Sequence, residues 1–168
     1  MPRSFDASAD YPATVEQVHR AFTDDHYWLD RLSQSGADEA TLDSMDIYDD
    51  GSVSVVTTQV LRASRLPGLV SQFHRGDLAI VRTENWSAVE DERAEATVLG
   101  EIEDAPVSLK GNALLASHSD GARLTFNTEV EVRIPLVGGK IEDFIRGHLS
   151  SLVAAEQAFT TQWLANNS

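Results

Sequence analysis

Apolar and polar residues recur along this chain with two periods, and each change of period marks a new element. Phe5, Ala7 and Ala9 alternate with polar neighbours over Arg3 to Ala9, which predicts a strand. Pro12 stops it. Thr14 stands three residues before Gln17, the spacing of a capping box that satisfies the free backbone groups at a helix start. Val15, Val18, Ala21 and Phe22 follow at helical spacing. Thr23 is placed to cap a second short helix, whose first turn carries Asp24 and Asp25 where the positive helix end favours acids. Tyr27, Trp28, Leu29 and Leu32 give that helix an apolar side, and Gly36 closes the pair.

Strand patterns then dominate. Thr41 to Tyr48 is one, with imperfect alternation, and Ser52 to Leu61 returns from the turn at Asp49-Asp50-Gly51, where glycine tolerates positive φ. Leu78 to Trp86 pairs with Arg93 to Ile102 around Glu90-Asp91-Glu92. Val107 to Leu115 pairs with Gly121 to Ile134 around Ser119-Asp120-Gly121. In the last strand Leu124, Phe126, Thr128, Val130, Val132 and Ile134 face one way and mostly charged or amide residues the other. One buried and one wet face is the pattern of an antiparallel sheet. Pro135 breaks the strand, and from Lys140 to about Ala165 the period becomes helical. Ile141, Ile145, Leu149, Leu152, Phe159 and Trp163 form one stripe, on a helix on the order of 37 Å long.

The order is strand, two short helices, six strands, one long amphipathic helix. The predicted fold is α+β: a seven-stranded antiparallel sheet curved around the C-terminal helix, in one domain spanning residues 1–168. Right-handed twist curls such a sheet. Small residues on its inner face (Ala94, Ala96, Gly100, Gly111 and Ala113) help it curl and leave room for a cavity.

Composition narrows the function. Thirteen basic residues against 27 acidic give a formal net charge of -14, a field that repels nucleic acid and anionic membranes. There are no cysteines, so disulfides, thiolate metal sites and cysteine nucleophiles are excluded. No apolar stretch is long enough to span a membrane, and Met1 to Asp10 holds no apolar leader core, so the expected location is cytoplasmic. The five histidines show no helical metal-ligand spacing, and Gly138-Gly139-Lys140 lacks the remainder of a phosphate loop. Neither a metal nor a cofactor is expected.

The chain resembles the helix-grip superfamily, which includes START lipid-transfer domains, Bet v 1-like proteins and polyketide cyclase-type proteins. The resemblance covers nearly the whole sequence. It rests on element order, on the run Pro12-Ala13-Thr14 into Val15 to Phe22, on Tyr27-Trp28, and on Ile134 to Glu142 leading into the closing helix. Leu66-Pro67-Gly68-Leu69-Val70 and Phe73-His74-Arg75-Gly76-Asp77 look similar to an uncharacterised bacterial branch of unknown function. The resemblance implies a deep apolar cavity between sheet and helix, without naming a ligand.

The expected function is therefore binding or carriage of a hydrophobic small molecule of the lipid, isoprenoid or polyketide class. Two alternatives are a cyclase, aromatase or dehydratase using a cavity histidine or carboxylate, and a ligand-free interaction module. The residues expected to meet a ligand are Trp86, Phe126, Phe144, His148, Leu152, Glu156 and Phe159. His148 and Glu156 interrupt or border the apolar stripe about 12 Å apart along the axis, so they present separate polar groups rather than one catalytic pair. The register of Leu78 to Trp86 is open. If Trp86 points inward, so do Arg82 and Glu84; the outward reading of these two is preferred because buried charge is costly unless well paired. Leu66, Leu69, Val70 and Phe73, in the long connector from Arg62 to Asp77, suggest a lid or a satellite cluster.

Overall fold

The structure, a computed structural model, describes residues 3–66, 68 and 76–167. Strand β1 (Arg3–Tyr11) leads to helices α1 (Val15–Phe22) and α2 (Asp25–Ser33). Strands β2 (Glu39–Ile47), β3 (Val53–Leu61), β4 (Leu78–Trp86), β5 (Arg93–Ile102), β6 (Val107–His118) and β7 (Gly121–Val132) follow, and α3 (Gly138–Asn167) closes the chain. All neighbouring strands are antiparallel, in the order β1-β7-β6-β5-β4-β3-β2. This is the helix-grip α+β architecture.

Local chemistry sets the element ends. The capping box at Thr14 forms: Gln17 N donates to Thr14 Oγ1 at 3.1 Å, and Thr14 N donates to Gln17 Oε1 at 2.9 Å. Asp24, rather than Thr23, caps α2, accepting from His26 N at 2.9 Å. Thr23 instead ends α1, its hydroxyl donating to Arg20 O. A carboxylate takes the cap because its charge adds to the hydrogen bond at the positive helix end. The imperfect alternation in β2 comes from a register shift between Leu42 and Ser44. Gly51 takes φ +94° in the β2–β3 turn. In the β6–β7 turn Ser119 carries the positive φ, and Gly121 serves another end: a Cβ there would lie 2.1 Å from Tyr11 O, where β1 pairs with β7.

Phe22, Tyr27, Trp28 and Trp86 form an aromatic centre, with Phe22 and Trp86 ring centroids 4.8 Å apart. A smaller apolar cluster of Val107, Val130, Val132 and Ile141 anchors the start of α3. There the buried carboxylate of Glu142 accepts from Val132 N at 2.9 Å.

Helix α3 does not run centrally under the sheet. It packs most closely on β1 and β7, and Gln157 Nε2 donates to Asp10 O at 2.7 Å. Helix α2 ties down its C-terminal half: Tyr27 Oη and Thr160 Oγ1 are 2.6 Å apart, and Trp163 Nε1 donates to Asp30 Oδ2 at 3.1 Å. A gap is left where α3 stands away from β3 and β4. Leu69, Val70 and Phe73 of the expected lid lie outside the described residues. At the base of that connector Asp77 Oδ1 accepts from Ala63 N at 2.9 Å, so the carboxylate braces the two ends of the crossing.

Candidate functional site

The gap between α2, α3 and the inner face of β3 and β4 holds a cavity of about 370 Å³. Trp28, Leu32, Leu152 and Phe159 form its apolar wall. Arg31, Arg82, Glu84 and Glu156 form a charged wall beside Thr57 and Gln59.

The charged wall exists because the register of β4 is the inward one. Leu78, Glu84 and Trp86 are buried and Asn85 is exposed, so Arg82 and Glu84 face the helix with Trp86. The outward expectation for these two is corrected. Its premise, that buried charge needs good pairing, holds; the pairing comes from other elements. Arg31 reaches in from α2 and Glu156 from α3. Arg31 Nη2 lies 2.5 Å from Glu156 Oε2. Arg82 grips the same carboxylate with both ends of its fork, Nη1 to Oε2 at 2.9 Å and Nη2 to Oε1 at 3.3 Å. Glu84 Oε2 lies 3.1 Å from Arg82 Nε and 3.9 Å from Arg31 Nη2, and Glu84 Oε1 accepts from Trp86 Nε1 at 3.3 Å. Arg82 Nε, although close to Glu84, is buried without an aligned hydrogen-bond acceptor. Arg31 also stacks on the Trp28 ring, 4.9 Å from its centroid. Two guanidiniums and two carboxylates leave the quartet formally neutral.

Electrostatics follow the geometry. Burial alone would raise the Glu156 pKa, but the adjacent Arg31 and Arg82 outweigh it and hold the carboxyl at about 2. For the two guanidiniums burial acts downward, and Glu156 overrides it to keep both firmly protonated. Burial pushes the Tyr11 and Tyr27 hydroxyls up, so both stay neutral.

A second concave region, about 640 Å³, is a broad depression on the outer face of the sheet over Ser54, Asn85, Thr97 and Asn112. Its side chains bond along the row, Ser54 Oγ donating to Asn85 Oδ1 at 2.6 Å, and Glu95 is the one charged residue among the described residues that line it. Asp24, Asp25 and His26 bring ligand-type atoms within 4.8 Å of one another at the exposed start of α2, where Asp24 acts as the cap.

The profile of a family described as a protein of unknown function, DUF2505, matches residues 6–164. The chain belongs to the DUF2505 family. It is 50% identical over 173 residues to uncharacterized proteins of Mycobacterium tuberculosis and Mycobacterium bovis, covering 99% of each chain. The DUF2505 fold is similar to the crystal structure of TTHA0849 from Thermus thermophilus, with TM-score 0.63 and 16% identity over 99% of this chain and 100% of that one. It is also similar to the crystal structure of Ara h 8.0201, with TM-score 0.60 and 9% identity over the same shares. At those identities the likeness is one of fold.

Within this DUF2505 chain the sequence-predicted ligand residues separate into three groups. Leu152, Glu156 and Phe159 line the cavity together. Trp86 belongs to the aromatic core and touches the site through Glu84, and Phe126 is partly buried against that core without lining the cavity. Phe144 and His148 pair edge to face at 4.4 Å nearer the N-terminal end of α3, and His148 is exposed. His148 therefore presents nothing to this cavity. Sequence reasoning misses Arg31. Its signal is present: Arg31 follows Tyr27 and Trp28 by four and three residues, which places it on the buried face of α2. The apolar cavity implied by the resemblance is corrected to one with an apolar wall and a polar wall that carries four charged residues. Among the described residues, no helix is long and apolar enough to cross a membrane.

Proposed function

We propose that this protein binds a hydrophobic small molecule of the lipid, isoprenoid or polyketide class in the cavity between α2, α3 and β3–β4. The observation that carries this reading is the pairing of an apolar wall with a converging, charge-neutral polar wall in one space of about 370 Å³. Cavities that hold small molecules combine mostly apolar lining with a few fixed polar groups that orient the ligand. Leu152, Phe159, Trp28 and Leu32 supply the lining, and binding free energy comes from the apolar ligand surface removed from water, roughly 25 cal/mol per Å². Acid–base catalysis fits less well. Glu156 is held ionised far below neutral pH, so it is neither a proton donor nor an effective base.

The test is native mass spectrometry of freshly purified protein, followed by organic extraction. A stoichiometric adduct that is released by solvent and lost in a Leu152→Trp variant supports the reading. An apo mass that stays unchanged after incubation with a panel of fatty acids, isoprenoids and polyketides overturns it.

A further inference from the structure

The charged wall points to the chemistry of the ligand's polar end. We infer that the cavity selects amphipathic carboxylates, and that Glu156 occupies the place of the ligand's carboxylate until one arrives. This inference rests on the cavity being a binding site for apolar molecules.

Three observations carry it. First, two guanidiniums converge on one carboxylate. Glu156 takes up the two Nη groups of Arg82 and one of Arg31, while Arg82 Nε lies 3.1 Å from Glu84 Oε2 without an aligned hydrogen bond. Donors gathered this way form a ready site for a two-oxygen anion. Second, the two carboxylates are not equally fixed. The Glu84 side chain is 8% exposed and tied to Trp86 within the sheet, whereas Glu156 is 22% exposed on α3 between the exposed Ala155 and the half-buried Gln157. A rotamer change on α3 carries Glu156 into water, where its charge is hydrated. Third, the exchange conserves charge. A ligand carboxylate held by Arg31 and Arg82, with Glu84 unmoved, leaves the quartet neutral. A cationic ligand would need Glu156 while facing two guanidiniums, and so is repelled. Glu156 itself demonstrates the geometry: a planar, two-oxygen anion fits the Arg82 fork and reaches Arg31. The apolar tail of such a ligand extends along Leu152 and Phe159.

The experiment is displacement of the neutral fluorescent probe N-phenyl-1-naphthylamine by decanoate, methyl decanoate and decylammonium. Decanoate is expected to displace it at concentrations about tenfold or more below the other two. Glu156→Gln removes the resident competitor, so it should tighten decanoate several-fold relative to methyl decanoate. Arg82→Lys, which keeps the charge and loses the fork, should weaken decanoate selectively. If Glu156→Gln does not fold, as judged by circular dichroism, Glu156→Asp withdraws the carboxylate by one methylene and is expected to act in the same direction. Equal displacement by all three compounds, preference for decylammonium, or weaker decanoate binding in the Glu156 variant overturns the inference while probe binding leaves the cavity reading standing. No binding of the probe or of any of the three overturns both.

Discussion

At Glu156 two opposing effects act on one carboxyl. Burial penalises its charge, and two guanidiniums within 3 Å repay that penalty with a surplus, which is why its pKa lies at about 2 rather than above the ordinary 4.5. A carboxyl whose pKa is depressed on folding contributes stability above its unfolded pKa and loses it as pH falls toward the folded one. The shift from 4.5 to about 2 corresponds to about 3 kcal/mol, fully present above pH ~5 and gone near pH ~2. Asp10, Asp38 and Asp50 are shifted the same way at the surface, so wild type alone does not isolate the contribution. Comparison with Glu156→Gln does. Urea unfolding should show the variant less stable by about 3 kcal/mol at pH ~7, with the difference shrinking as pH falls toward ~3. A difference that stays constant with pH would mean that the guanidiniums do not hold the carboxyl in this way.

At the scale of elements, the joint between α2 and α3 positions the site, because it fixes how far Arg31 and Glu156 stand from each other. Its buried link is the hydrogen bond between Tyr27 and Thr160, whose side chains are almost wholly inaccessible. Tyr27→Phe strands the Thr160 hydroxyl and should cost about 1–2 kcal/mol, and Thr160→Val should cost about as much. The double variant removes both polar groups and should recover most of one loss, so a thermal-melt cycle ought to be clearly non-additive. Additive losses would place the two groups in independent environments. Most of this scale is legible in the sequence. The period-two faces of β5 and β7, the capping box at Thr14 and the stripe of α3 each repeat a local rule over enough residues to be read. The inward charge on β4 is not. Leu78 and Ile80 point one way and Ala79 and Val81 the other, so apolarity does not choose a face. What chooses is Arg31, 51 positions earlier, and Glu156, 74 positions later. A linear pattern does not contain partners that only the fold brings together. Thr160 escapes for the opposite reason: a small polar residue on an amphipathic helix gives no sign that a tyrosine hydroxyl awaits it.

For the whole molecule, the site is a consequence of asymmetric packing. A curved seven-stranded sheet offers one long helix more inner surface than it covers. With α3 seated on β1 and β7, the uncovered part lies over β3 and β4, and α2 walls it off. The described lining thus comes from helices and strands, and filling the cavity should not require these elements to change. Leu152 lines it from α3 and is half-buried, with open space beside it. Leu152→Trp adds apolar volume to that space rather than to a close-packed core, so it should change stability by less than about 1.5 kcal/mol in either direction while abolishing probe and ligand binding. Phe159→Ala acts the other way. It deletes a ring that packs against Tyr27 at 5.8 Å between centroids, so it should lower stability by about 2 kcal/mol and enlarge the cavity, admitting bulkier ligands. Measured together by thermal melting and probe displacement, the two variants separate volume from stability. If Leu152→Trp bound the probe as tightly as wild type, the space between α2, α3 and β3–β4 would not be where it binds.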